Sequence, residues 1–447
     1  MDYAQALAFL DEHTNLEGNR ANRFTGVAAP SLPTAGQVDG LSLDPMLDLM
    51  GALGDPHQAF RSIHITGTNG KGSTARVAAA TLQAMDLSVG LYTSPNLEKV
   101  NERMSWDGND ISDEAFGQIM AILAAVEPLI ERVPSRFELL TAAAFMWFAE
   151  QGADVAVVEV GLLGRYDATN VIDADVAVIT NIGKDHTDGK SGWERAVAAE
   201  KAGIIKPSSH VVLGTPMEEL RDIFEAEPSA GMWVAGQDFE IESNIVAVGG
   251  RTIDLRTPGA EYEQLFIPAH GAHMGANVAT GIAAVEAFFQ RPTPEELVIN
   301  AVGGLRLAGR FEVVGHEPTV ILDGAHNPEG AEAAKQTLDE EFARLGSWVL
   351  VVGLLSGKDP VEMLEALGAT DFDAVICTEP NWSRAVSAEE VAAAAATLGI
   401  TAEVVRKPVE ALNRALAVTA ADDLIMVAGS LYVVGDIRSA IPIQPTD

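Results

Sequence analysis

Short apolar runs of strand length recur along this chain, each closed by polar or glycine-containing turns and followed by apolar residues at helical spacing. IHIT at 63–66, SVGLYT at 88–93, DVAVVEV at 154–160 and DVAVIT at 175–180 form a first series. A second begins near residue 319, with TVILD, WVLVVGLL, DAVICTEP, AEVV and DLIMVAG separated by helices such as the one expected over 328–345. Strands alternating with helices predict a parallel sheet covered on both faces, built twice. The sequence between the two series is mixed, and it ends in RPTPEELVINAVGGLRLAGR (291–310), whose proline and glycine content suits a hinge. A boundary is therefore expected near 305, dividing 1–305 from 306–447. The first sixty residues read as a helix, a long loop around TGVAAPSLPTAGQVDG and another helix, the loop being either a substrate lid or decoration. Nothing repeats at a fixed period.

A length of 447 residues, 47% hydrophobic and 21% charged, fits two globular domains. The net charge of −35 argues against a general nucleic-acid or membrane surface, because both partners are polyanionic. Acidity of this size reads as a solvated, salt-adapted surface. It gives weight to the scarce cations Lys71, Arg103, Arg165, Lys201, Arg310 and Lys358. The one cysteine, Cys377, excludes an internal disulfide and a cysteine metal cluster, so the cytoplasm is the expected compartment. Residues 1–20 lack a basic start followed by an apolar core, and no apolar run reaches membrane-spanning length.

The chemistry starts at Ile63–Ser73, IHITGTNGKGS, where a strand feeds a glycine-rich turn and a helix expected over 73–85. Loop N–H groups and the positive end of that helix converge on one anion site, with Lys71 as the point charge for the outer phosphates of a nucleoside triphosphate. The common loop GxxxxGK[ST] has Gly where Ile65 stands and Ser or Thr where Gly72 stands; here the hydroxyl is displaced to Ser73. Glu159 closes an apolar strand at the sheet edge where ligands gather, so Ser73 and Glu159 are candidate magnesium ligands.

GTNGKGS resembles the phosphate loop of the Mur ligase superfamily, and its Gly-Ser ending resembles the folylpolyglutamate synthase branch. The resemblance runs over nearly the whole chain. It implies an α/β fold: a Mur-ligase-like P-loop domain with a central, mostly parallel sheet, then a smaller Rossmann-like C-terminal domain. It places Thr68, Asn69, Gly70, Lys71, Gly72 and Ser73 on ATP, joined by Asn277 of GAHMGANVATG, by Arg310 of LAGRFEVV at the phosphates, and by Asp323 and His326 of ILDGAHNP near ribose or base. The DHT and EKAGI segments make His186 a ligand of a second magnesium and Lys201 a lysine carbamylated by carbon dioxide that also binds metal. GLLGRYDATN is similar to the family's GLGGRLDATN, with Arg165 and Asp167 kept for a pterin-bearing substrate and Leu163 and Tyr166 departing. RFELLTAAAF is similar to FEVLTAAAF, so Phe137 would stack on a ring and Glu138 accept from the pterin. Asn96 replaces a family histidine, and Lys190 and Ser191 replace Leu-Gly. Lys358 and 429–438 match the family with a role on the glutamate side or in folding.

The implied activity is ATP-dependent joining of L-glutamate to a folate, with dihydropteroate as a further substrate, through an acyl phosphate. Two Mg²⁺ ions are expected, with room for a monovalent cation. No nucleic acid, no membrane and a monomeric state complete the expectation. The rivals are a Mur-type ligase acting on a non-folate carboxylate and a nucleotide-binding relative without catalysis.

Overall fold

The structure is a computed structural model that describes residues 1–15, 42–185 and 191–441. The chain divides into two compact units, one of 1–245, 252–267 and 274–305, the other of 246–251, 268–273 and 306–447.

Eight strands make the main sheet of the first unit: β1 (Arg61–Thr66), β2 (Val89–Tyr92), β3 (Met104–Trp106), β4 (Asn109–Asp110), β5 (Val155–Glu159), β6 (Val176–Ile179), β7 (His210–Leu213) and β8 (Gly231–Val234). Their order is β4-β3-β2-β5-β1-β6-β7-β8. All neighbours run parallel except β3 against β2 and β4 against β3. β1 lies between β5 and β6, and every residue of it after Arg61 is buried. Its alternation of Ser62, His64 and Thr66 with apolar neighbours therefore marks a buried polar face and not a solvated one. One core layer gathers Phe145, Phe148 and Leu139 of the helix Arg136–Gln151 with Phe116, Met120 and Leu10. A second lies where Ala198 and Ala202 of the helix Trp193–Ala202 meet Ile179, Val211 and Leu213.

The mixed region contains a further three-stranded sheet, β9 (Glu240–Ala247), β10 (Gly250–Arg256) and β11 (Glu261–Ile267), in the order β11-β10-β9. The apolar residues of β9, Ile241, Ile245, Val246 and Ala247, do not alternate regularly and none is fully buried, so no strand pattern announces it. The expected hinge contains the helix Glu295–Gly303, which follows Pro294, carries Glu295 and Glu296 in its first turn and buries Val298, Ala301 and Val302. The proline and glycines of that segment bound a packed helix.

The second unit carries β12 (Glu312–His316), β13 (Thr319–Leu322), β14 (Trp348–Val352), β15 (Ala374–Cys377), β16 (Glu403–Val404) and β17 (Leu424–Ala428), ordered β12-β13-β17-β14-β15-β16. Only β12 is antiparallel to its neighbour. Its core packs Ile321, Leu350, Met426 and Cys377 against Leu338, Leu364 and Val391. The helix that follows β13 spans Pro328–Glu341 and stops short of the expected residue 345. Phe342 turns into extended backbone and packs tilted against the rings of Phe311 and His270, with centroids 5.6 and 5.1 Å away.

Candidate active site

The loop after β1 is shaped by three glycines, each confined by a different neighbour. Gly67 (φ +152°) and Gly70 (φ +81°) adopt backbone that favours glycine, and a Cβ at either would run into Thr180 and Asn277 respectively. At Gly72 a Cβ would lie 3.2 Å from Glu159 Oε2. Glu159 therefore presses closely on the position where the common loop has its hydroxyl residue, and the hydroxyl of this loop belongs to the next residue, buried Ser73. The helix Lys71–Ala84 starts directly from Gly70. From β6, Asn181 Oδ1 accepts from Thr68 N (3.0 Å) and Asn69 N (2.9 Å), and Thr180 Oγ1 donates to Asn69 O at 2.6 Å. Gly183 N donates to Thr68 Oγ1 at 2.9 Å. The sequence reading missed these pins; their signal is the polar pair Thr180-Asn181 directly after an apolar strand.

Two cations meet on one carbonyl. Lys71 Nζ donates to Gly67 O (3.1 Å) and Thr68 O (3.3 Å), and Lys201 Nζ, on a buried turn of the helix Trp193–Ala202, donates to Gly67 O at 2.8 Å. Burial first, then the charge of Lys71, pull the Lys201 amine down to about 7, against the opposing pull of Asp185 and Asp167. Glu159 is buried at the end of β5 and accepts from Ser94 N at 3.0 Å. The Ser73 hydroxyl and the Glu159 carboxylate, the latter close against Gly72, offer the hard oxygen donors magnesium takes. Among the described residues no three His, Cys, Asp or Glu side chains converge as a metal cluster, and His186 lies outside the described residues, as does Lys190. Asn277 lies against Gly70, its amide donating to Met274 Sδ at 3.6 Å.

The residues expected at the pterin hold structure as well. Asp167 is buried, and its carboxylate accepts from Leu162 N, Thr169 N and Thr169 Oγ1, at 2.8, 3.0 and 2.5 Å. Arg165 donates to Glu227 (2.5 Å) and Ala199 O (3.1 Å). Glu138 closes a capping box, receiving Ser135 N at 2.6 Å while Ser135 Oγ receives Glu138 N at 3.2 Å. Phe137 is half-buried and lies against Gly161, where a Cβ would run into its ring. Leu163 stands where the resembled motif has glycine, yet keeps a left-handed φ of +59° and buries its side chain against Val197. Asn96 Oδ1 accepts from Arg103 Nε at 2.8 Å.

In the second unit the Arg310 guanidinium lies beside Gly324. Asp323 accepts from Phe311 N and Ala325 N, both at 2.8 Å, and His326 Nδ1 bonds Gly324 O at 2.9 Å. Ser430 caps the helix Leu431–Arg438, and Arg438 pairs with Glu312 at 2.9 Å. Lys358 follows β14.

Residues 65–285 match the Mur ligase middle domain and residues 309–431 the Mur ligase glutamate ligase domain. A dihydrofolate synthase/folylpolyglutamate synthase of Mycobacterium tuberculosis is 39% identical over 384 residues, covering 79% of this chain and 78% of that one. The chain belongs to the folylpolyglutamate synthase/dihydrofolate synthase family of Mur ligases. As a Mur ligase it superposes on the folylpolyglutamate synthase of M. tuberculosis complexed with ADP with a TM-score of 0.89 at 32% identity, over 99% of both chains. A bifunctional folylpolyglutamate synthase/dihydrofolate synthase with Mn, AMPPNP and L-glutamate bound gives 0.82 at 27% identity, over 98% of both. No helix among the described residues of this ligase is long and apolar enough to cross a membrane.

Proposed function

We propose that this Mur ligase joins L-glutamate to a folate at the expense of ATP, and accepts dihydropteroate as well. The observation that carries the reading is the phosphate loop, where Gly72 makes room for Glu159 and Lys71 and Lys201 meet at the Gly67 carbonyl. A carboxylate is a poor electrophile. Its oxygen attacks the γ-phosphorus, ADP leaves, and the acyl phosphate so formed is attacked at carbon by the glutamate amine, which loses a proton as phosphate departs. Lys71 leaves its carbonyl partners to neutralise the transferring phosphoryl oxygens, and loop N–H groups hold the nucleotide in line. Ser73 and Glu159 would hold magnesium, which would supply positive charge against the phosphates.

Further parts of the proposal rest on the family likeness. Arg310, Asp323, His326 and Asn277 serve ATP; Phe137, Glu138, Arg165 and Asp167 serve the pterin end; His186 and a carbamylated Lys201 serve a second Mg²⁺, with room for a monovalent cation. The buried place of Lys201 beside the phosphate loop supports that role. The enzyme acts in the cytoplasm as a monomer, with neither nucleic acid nor membrane as partner. ADP release measured with tetrahydrofolate or dihydropteroate, with and without L-glutamate, tests the reading. Glutamate-dependent release is expected. Release only with a non-folate carboxylate would leave a different Mur-type ligase, and nucleotide binding without turnover would leave an inactive relative.

A further inference from the structure

The polar face of β1 has no role in the chemistry above, yet it is sealed inside the fold. His64 and Thr66 are fully buried. Thr66 Oγ1 donates to Leu163 O at 2.7 Å, and His64 Nε2 lies 2.8 Å from Thr169 Oγ1. The direction of that bond follows from its neighbour. Thr169 Oγ1 donates its one proton to Asp167 Oδ1 at 2.5 Å, so it accepts from His64, and the imidazole carries its proton on Nε2. A chain of donors thus runs His64 to Thr169 to Asp167, and the carboxylate at its end also receives the N–H groups of Leu162 and Thr169.

What this chain holds is a segment in need of holding. Leu163 has a left-handed backbone that costs a β-carbon residue energy, and such a conformation persists only where its surroundings over-determine it. Its carbonyl is pinned by Thr66 and its side chain by Val197. His64 Nδ1 is buried without a hydrogen-bond partner, an arrangement that packing alone would replace with leucine. We propose that His64, with Thr66, is a positioning residue that seats the segment 161–170 from beneath and thereby sets the pterin-side substrate site. The inference rests on the assignment of Arg165 and Asp167 to that substrate.

Three variants test it: His64→Leu removes the donor, His64→Gln returns an N–H near the Nε2 position, and Thr169→Val cuts the chain one step on, keeping the imidazole but taking away its acceptor. In the full chain, hydrogen exchange over 161–170 should quicken by about tenfold or more in His64→Leu and Thr169→Val, with exchange over 71–84 unchanged. KM for the folate should rise by a similar factor, with KM for ATP within about twofold, and His64→Gln should recover much of both losses. Equal loss for folate and ATP, or wild-type exchange over 161–170 in both chain-breaking variants, overturns the proposal. If His64→Leu does not fold, Thr169→Val decides by the same readings. A wild-type enzyme inactive on every folate would sink the substrate assignment instead, leaving the exchange arm to judge whether His64 seats the segment.

Discussion

At the scale of single residues, Lys71 and His64 carry opposite physics. Lys71 rests on two carbonyls of its own loop and packs little, so Lys71→Ala should leave the thermal midpoint within a few degrees of wild type. It should also remove turnover by a factor of about 100 or more, since a charge-assisted contact to a transferring phosphoryl group is worth roughly 3 kcal/mol. Steady-state ADP release with a melting curve checks both; near wild-type kcat would end the assignment of this loop. His64 is a buried base held neutral, its pKa pushed down to about 3 by burial and then by Lys206. Above the ordinary histidine range it is neutral folded or unfolded. As pH falls from about 6.5 toward 3 the unfolded chain takes up a proton that the folded chain refuses, so stability drops by roughly 1.4 kcal/mol per pH unit across that window. Urea unfolding of wild type and His64→Gln at pH 7, 5.5 and 4.5 should diverge by that slope, and parallel curves would show that the imidazole is not held neutral.

Among the elements, the phosphate loop is held from the neighbouring strand. Asn181 occupies the N–H groups of Thr68 and Asn69 with one oxygen, and Thr180 fixes the carbonyl of Asn69. The loop's shape is therefore prepared before any nucleotide arrives. Asn181→Ala leaves the Asn69 N–H without its acceptor and Thr68 N with the backbone carbonyl of residue 181 alone, and should raise KM for ATP by about tenfold, with a smaller effect on KM for the second substrate. Isothermal titration with ADP checks this independently of turnover, and unchanged affinity would mean that glycine geometry alone shapes the loop.

For the whole molecule, the division into units does not follow chain order. Segments 246–251 and 268–273 belong with the second unit, and Glu341, almost wholly buried there, is matched by Arg251 (2.5 Å), His270 (2.7 Å) and the N–H of Gly271 (2.8 Å). Its carboxyl is held below the usual range by these partners, against burial. A fragment cut at 306 would keep the carboxylate and lose every one of these partners. That fragment should melt well below a fragment carrying Glu341→Leu, because a buried charge stripped of its partners costs about 3–5 kcal/mol. Equal melting of the two fragments would show that Glu341 is solvated once alone.

The order of strands and helices, the α/β class and the phosphate loop were legible in sequence because each depends on local spacing: apolar runs of strand length, helical periodicity, and glycines beside a lysine. Strand β9 was not, because none of its positions is fully buried and its apolar residues do not alternate. Nor could spacing say why position 72 is glycine. A side chain there would sit tightly against the carboxylate of Glu159, 87 residues away in the chain and one strand over in the sheet. The same distance in sequence hides the bonds from His64 to Thr169 and from Asn181 to the loop. Alternation along β1 could not say what its polar residues face, and only the packing of 161–170 against them made His64 and Thr66 buried donors. Local chemistry wrote the elements, and the tertiary structure decided which of their polar groups face one another.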